Sequence, residues 1–199
     1  MPETEDELYT VARYLGAPKE MVRVARQATE ADVKKQKLDQ YQVVYFATHG
    51  LVAGDLEKIG SRFAEPALAL TIPSRASKLD DGLLTASEIA KLKLNADWVI
   101  LSACNTAIDG RPESEALSGL SKAFLYAGSR ALLVSHWPVY SDAAVTLTTR
   151  LFRELKDNSK VDKAEALRLS MLALMNDESD EINPYPGSWA PFIVVGDGR

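Results

Sequence analysis

Among 199 residues there is one cysteine, Cys104, and there are two histidines, His49 and His136. A thiol and an imidazole together can carry acyl transfer: the thiolate attacks a carbonyl, the imidazole delivers a proton to the leaving amine, and backbone N–H groups hold the oxyanion. An unperturbed thiol, with a pKa near 8.5, is only a few per cent ionised at neutral pH, so a neighbouring imidazolium or helix N-terminus is needed to activate it. His49 can supply that imidazolium. Gly50, directly after it, allows close approach of a substrate, and the N–H groups of Gly50 and Cys104 can line an oxyanion hole. Zinc would accept the same ligand types, but no short-spaced pair of the Cys-x-x-Cys or His-Glu-x-x-His kind occurs. Glycine-rich phosphate loops and a Gly-x-Ser-x-Gly elbow are also absent, so neither a metal nor an organic cofactor is expected. Structural readings stand beside these. A lone cysteine is most often a packed residue, and Trp137 and Pro138 suggest that His136 sits in a packed corner or on a pocket rim. Asp55, Asp109 and Asp142 are candidate pocket carboxylates, although Asp142 with Ser141 reads best as a helix cap.

Each of the three reactive residues follows a short apolar run. Val43–Ala47 precedes His49, Trp98–Leu101 precedes Cys104, and Ala131–Val134 precedes His136. Such runs suit strands buried on both faces, and in open parallel sheets chemistry gathers beyond the carboxyl ends of the strands. Two further strands are expected at Ala67–Ile72 and Phe192–Val195. Helical periodicity marks residues 3–15 (Leu8, Val11, Ala12, Leu15), 114–127 (Leu117, Leu120, Phe124), 141–156 and 162–175. Thr29 followed by Asp32 reads as an N-cap, and Thr85-Ala86-Ser87-Glu88 has the spacing of a capping box that opens a helix reaching about Leu92. Five apolar strands separated by amphipathic helices describe an α/β sandwich with a mostly parallel central sheet flanked by helices.

Composition narrows the class further. The hydrophobic fraction is 46% and the charged fraction 26%, as in ordinary globular chains. A net charge of −5 argues against a phosphate backbone or an anionic lipid surface as partner, so no nucleic acid and no membrane are expected. The longest apolar runs fall far below the ~18 residues that a membrane span requires. The acidic start Met1-Pro2-Glu3-Thr4-Glu5-Asp6-Glu7 does not read as an export signal, and a single thiol is at home in a reducing compartment, so a cytoplasmic location is expected.

Five runs occur in order: Phe46-Ala47-Thr48-His49-Gly50, Leu101-Ser102-Ala103-Cys104-Asn105-Thr106, Ala123-Phe124-Leu125-Tyr126-Ala127-Gly128, Ser135-His136-Trp137-Pro138-Val139 and Trp189-Ala190-Pro191-Phe192. Together they resemble the CHAT domain, a caspase-like domain widespread in bacteria and usually attached to tetratricopeptide repeats. The resemblance implies a caspase-like three-layer sandwich over residues 1–199 as one domain. It also implies a cysteine endopeptidase related to caspases, separases and gingipains, in which His49 and Cys104 match the catalytic dyad and the amides of Gly50 and Cys104 match the oxyanion donors. The separation of 55 positions from His49 to Cys104 is close to the ~50 of caspases. The implied partners are a protein substrate and a tetratricopeptide-repeat or other regulatory segment. Members usually carry further strands before a Leu-Pro-x-Thr-x-x-Glu segment, which Met1–Glu7 resembles, so the chain is expected to be a fragment and, alone, a latent enzyme. The family often has leucine where His136 stands, so no catalytic role transfers there. The alternative is a catalytically silent CHAT-type module that binds a partner or transmits a signal.

Overall fold

The computed structural model describes residues 2–51, 65–77, 79–102, 114–137 and 139–199. In chain order the elements are α1 (Pro2–Tyr14), α2 (Glu30–Lys35), β1 (Val43–Phe46), β2 (Gly50–Leu51), β3 (Ala67–Ala69), β4 (Leu83–Thr85), α3 (Ala86–Ile89), β5 (Trp98–Leu101), α4 (Ser114–Ala127), β6 (Ala131–Ser135), α5 (Ser141–Asp157), α6 (Lys163–Met175), α7 (Pro186–Trp189) and β7 (Phe192–Gly196).

Strand β5 has no charged or hydroxyl side chain to turn toward water, so it needs cover on both faces, and all four of its residues are buried. The central sheet has the order β1-β5-β6-β7; β1, β5 and β6 are parallel and β7 is antiparallel to β6. Because side chains alternate along a strand, Val99, Leu101, Leu132 and Val134 pack with Leu120 and Phe124 of α4 and Ile89 of α3. Trp98, Ile100, Ala131 and Leu133 pack on the opposite face with Val11 of α1, Leu147 and Phe152 of α5 and Leu167 of α6. The result is the α/β sandwich with a mostly parallel central sheet that the strand and helix pattern predicts.

Several details differ from expectation. β1 was expected to be buried on both faces, yet Val43, Val44 and Tyr45 are half-buried and only Phe46 is buried, because β1 is the edge of its sheet. The Ala67–Ile72 run does not join the central sheet. Its β3 lies between β2 and β4 in a separate antiparallel sheet and stops at Ala69. From there the Thr71 N–H donates to the Ala28 carbonyl and its hydroxyl to the Ala25 carbonyl, which draws the chain out of the ladder. The capping box at Thr85 forms, with Glu88 accepting from the Thr85 N–H at 3.1 Å. The helix behind it is shorter than expected, because Lys91 and Leu92 donate to Glu88 and Ile89, three residues back, and so tighten the chain into a turn. Asp142 does not cap α5; Tyr140 is the cap residue, without a side-chain bond, and Asp142 is exposed in the first turn. Leu15 lies beyond the last helical residue of α1 and is exposed. Among the described residues no helix is long and apolar enough to cross a membrane.

Gly128 shows how tightly α4 is turned into β6. Its φ is +113°, and a Cβ there would lie 2.3 Å from the Leu94 carbonyl oxygen. Gly128→Ala is therefore expected to cost at least about 2 kcal/mol, from the left-handed backbone and the backbone clash together. Urea unfolding will measure this, and a loss below about 0.5 kcal/mol would mean that the turn rearranges freely.

Candidate active site

Parallel pairing of β1 with β5 sets Phe46 level with Leu101. The chain thus leaves both strands side by side at one sheet edge, held by a 3.0 Å hydrogen bond from the Ser102 N–H to the Phe46 carbonyl. Three residues past Phe46 comes His49, which is half-buried. Its carbonyl accepts from the Ala69 N–H at 2.9 Å, and the Thr48 hydroxyl donates to the Ala69 carbonyl. The smaller sheet therefore fixes the backbone on which His49 sits. Antiparallel ladders alternate their bonding direction, so with His49 bonded toward β3 the N–H of buried Gly50 points away from β3. Cys104, three residues past Leu101 in sequence, lies outside the described residues, as do Asp55, Asp109 and Pro138.

A groove of about 680 Å³ starts at Leu8 and Val11 of α1, follows β1 and ends at Thr48 and His49. It runs beside the edge of β1 that has no strand partner among the described residues. Gln42 and Phe46 direct their carbonyls at Trp98 and Ser102, so the intervening Val43 and Tyr45 direct their backbone groups the other way.

Periodicity alone did not single out Glu7, although it lies four residues before Val11 on the apolar stripe of α1. It is 1% exposed. Its Oε1 accepts from the hydroxyls of Tyr45, Ser102 (2.6 Å) and Thr148 (2.6 Å), which belong to β1, the end of β5 and α5. A carboxylate on the buried stripe of a helix is the signal that could have marked it, since burial of such a group demands several donors. Burial and then the adjacent Glu7 charge push the Tyr45 phenol well above its ordinary range. Tyr45 also packs on Phe152, with ring centroids 6.0 Å apart.

His136 follows β6, one strand further from His49 than the end of β5. The packed corner expected around it is absent. His136 and Trp137 are both exposed, stacked on each other at 6.4 Å, because the backbone is pinned by the bond from the His136 N–H to the Pro191 carbonyl while the side chains face outward. Asp142 is likewise exposed and is no pocket carboxylate.

The model of the CHAT domain matches residues 1–197. The chain belongs to the CHAT domain family. This CHAT chain has the caspase-like fold, and its family lies in the caspase-like cysteine peptidase superfamily. It is 27% identical over 220 residues to tetratricopeptide repeat protein 28 of Mus musculus and 27% identical over 222 residues to the Homo sapiens protein of that name. Each match covers 98% of this chain and 8% of the relative, so the chain spans about a twelfth of the length of these relatives.

The raised Tyr45 phenol predicts an alkaline limit for the CHAT fold. The folded chain retains a proton that the unfolded chain releases near the ordinary value of 10.0, so this contribution is intact below pH 10 and is lost as pH rises above it. Wild-type stability should fall up to about 1.4 kcal/mol per pH unit more steeply than that of Tyr45→Phe between pH 10 and 11. Parallel slopes in denaturant titrations would contradict this.

Proposed function

We propose that this CHAT domain, as one unit over residues 1–199, is a cysteine endopeptidase that cleaves a protein substrate with Cys104 as nucleophile and His49 as its proton-transfer partner. The observation that carries the reading is the side-by-side exit of β1 and β5, three residues before His49 and Cys104 respectively. Membership of the caspase-like superfamily supports it.

In this mechanism the Cys104 thiolate forms a bond to the scissile carbonyl carbon. The oxyanion is held by the N–H groups of Cys104 and Gly50, the latter directed away from β3 as that role requires. His49 passes a proton to the leaving amine, giving an acyl-enzyme, and then takes one from the water that hydrolyses it. No metal or organic cofactor takes part in any step. Because the relatives are tetratricopeptide repeat proteins, a repeat segment is the proposed regulatory partner, and cleavage by the isolated chain should be weak until it is supplied. The proposed setting is the cytoplasm, away from nucleic acid and membrane.

A second reading, a silent module that binds a partner, is favoured by one feature, the groove beside the edge of β1 that has no strand partner among the described residues. A sheet edge of this kind can accept an added strand without any chemistry.

Thiol reactivity separates the two. Cys104 of a peptidase alkylates with iodoacetamide well below pH 8.5, whereas an ordinary profile favours the silent module. A proteome-wide search for new N-termini, active chain against Cys104→Ala, then identifies the substrate. His49→Ala, Cys104→Ala and the double variant should lose cleavage to the same extent, because residues acting as one unit do not add. A double variant far worse than either single would exclude the dyad. His136→Leu should keep turnover within tenfold, about 1.4 kcal/mol of barrier. A loss equal to that of His49→Ala would give His136 a part in the chemistry.

A further inference from the structure

The proposed reaction leaves Glu7 unused. A helix whose task was only to cover the sheet would carry an apolar residue there, since a carboxylate taken from water must recover its solvation through strong hydrogen bonds. Glu7 recovers it on one oxygen alone. Oε1 collects all three hydroxyl donors, and Oε2 is buried with no hydrogen-bond partner among the described residues.

The donors have an order relative to the site. Tyr45 is four residues before His49, and Ser102 is two before Cys104. Tyr45 and Ser102 both face the α1 side of the sheet, Ser102 continuing the parity of Trp98 and Ile100. One oxygen therefore ties the end of β1 to the end of β5 through side chains, in addition to the backbone bond between Ser102 and Phe46. Thr148 supplies the third tie, to α5.

We propose that Glu7 is a positioning residue: by holding Tyr45 and Ser102 on one carboxylate oxygen, it sets the relative placement of the two strand exits that carry His49 and Cys104. The inference rests on the peptidase reading. Glu7 touches no substrate; it acts by keeping the imidazole within reach of the thiol, so its loss lowers the activated fraction of the thiol as well as stability. A buried carboxylate with a purely structural role would affect stability alone.

Since Cys104 is the chain's one cysteine, mass-spectrometric rates of iodoacetamide alkylation report on it directly. Rates are measured from pH 5.5 to 9.5 on the wild-type chain, Glu7→Leu, Ser102→Ala and Tyr45→Phe, with folding checked by circular dichroism. Ser170→Ala is the control. Ser170 is also fully buried, but its hydroxyl donates to the Ala166 carbonyl at 2.8 Å within α6, away from both strand exits. The expected result is an activated wild-type thiol, a fall of at least fivefold in its rate at pH 6 in Glu7→Leu and Ser102→Ala, and a midpoint that moves toward 8.5, while Ser170→Ala keeps the wild-type profile. Should Glu7→Leu fail to fold, Ser102→Ala and Tyr45→Phe, which each remove one donor, decide the matter. Wild-type profiles in all folded variants, or an equal shift in Ser170→Ala, would overturn the positioning role and leave the dyad standing. An ordinary thiol in the wild-type chain would overturn the dyad and the positioning role together.

Discussion

Four consecutive side chains of β5 are buried at 0–2% exposure, and the rest of the architecture follows from having to cover them on both sides at once. Full burial of each aliphatic side chain is worth about 1.5–3 kcal/mol, so leaving either face open would forfeit much of the domain's stability. Alternation sends Val99 and Leu101 to the α4 layer and Trp98 and Ile100 to the α1–α5 layer. A strand in that position also needs neighbours on both edges, which β1 and β6 supply in parallel. Parallel neighbours cannot be joined by tight turns, so the connections must cross the faces of the sheet, and the chain leaves β1, β5 and β6 at the same end.

That common end is where polar groups become unavoidable. The hydroxyls of Tyr45, Ser102 and Thr148 converge on Glu7 there. A second buried carboxylate does a parallel job for the smaller sheet. Glu30 accepts from the N–H groups of Asp81 and Gly82, and Lys34 bridges it to Glu88. Burial alone would lower the Lys34 pKa, but hydrogen bonds and charge attraction from Glu30 and Glu88 outweigh it and raise the ammonium's pKa. Glu88 shows the converse: burial pushes its carboxyl up, while Lys34 and the Thr85 donors pull it below the usual range. One buried acid thus anchors the sheet that presents the strand exits, and the other anchors the β3–β4 turn of the sheet whose Ala69 holds the backbone of His49.

Much of this was legible locally. The interior strands and the helices at 114–127, 141–157 and 163–175 rest on uninterrupted apolar runs or on 3.6-residue periodicity, signals that survive whatever the neighbours do. Thr29 and the Thr85–Glu88 box were readable as helix starts because a cap is a bond over three residues. The failures share a different cause. Ala67–Ile72 has the composition of a core strand, and only its antiparallel partners show that it belongs to another sheet. Val43–Phe46 looks as apolar as β5 but sits at an edge, so three of its four residues are half-buried. Trp137 beside a proline suggested packing, and its ring is exposed.

The sequence by itself determined the chemistry on offer: one thiol, two imidazoles, a glycine after the first imidazole, and the ordered motifs that carry family membership. These depend on residue type and short spacing, which folding does not alter. Tertiary structure alone decided which strands are neighbours, which one is the edge, and where the Glu7 carboxylate ends. Its donors lie 38, 95 and 141 residues away, and a contact over such distances is set by how whole layers pack, which no local pattern encodes.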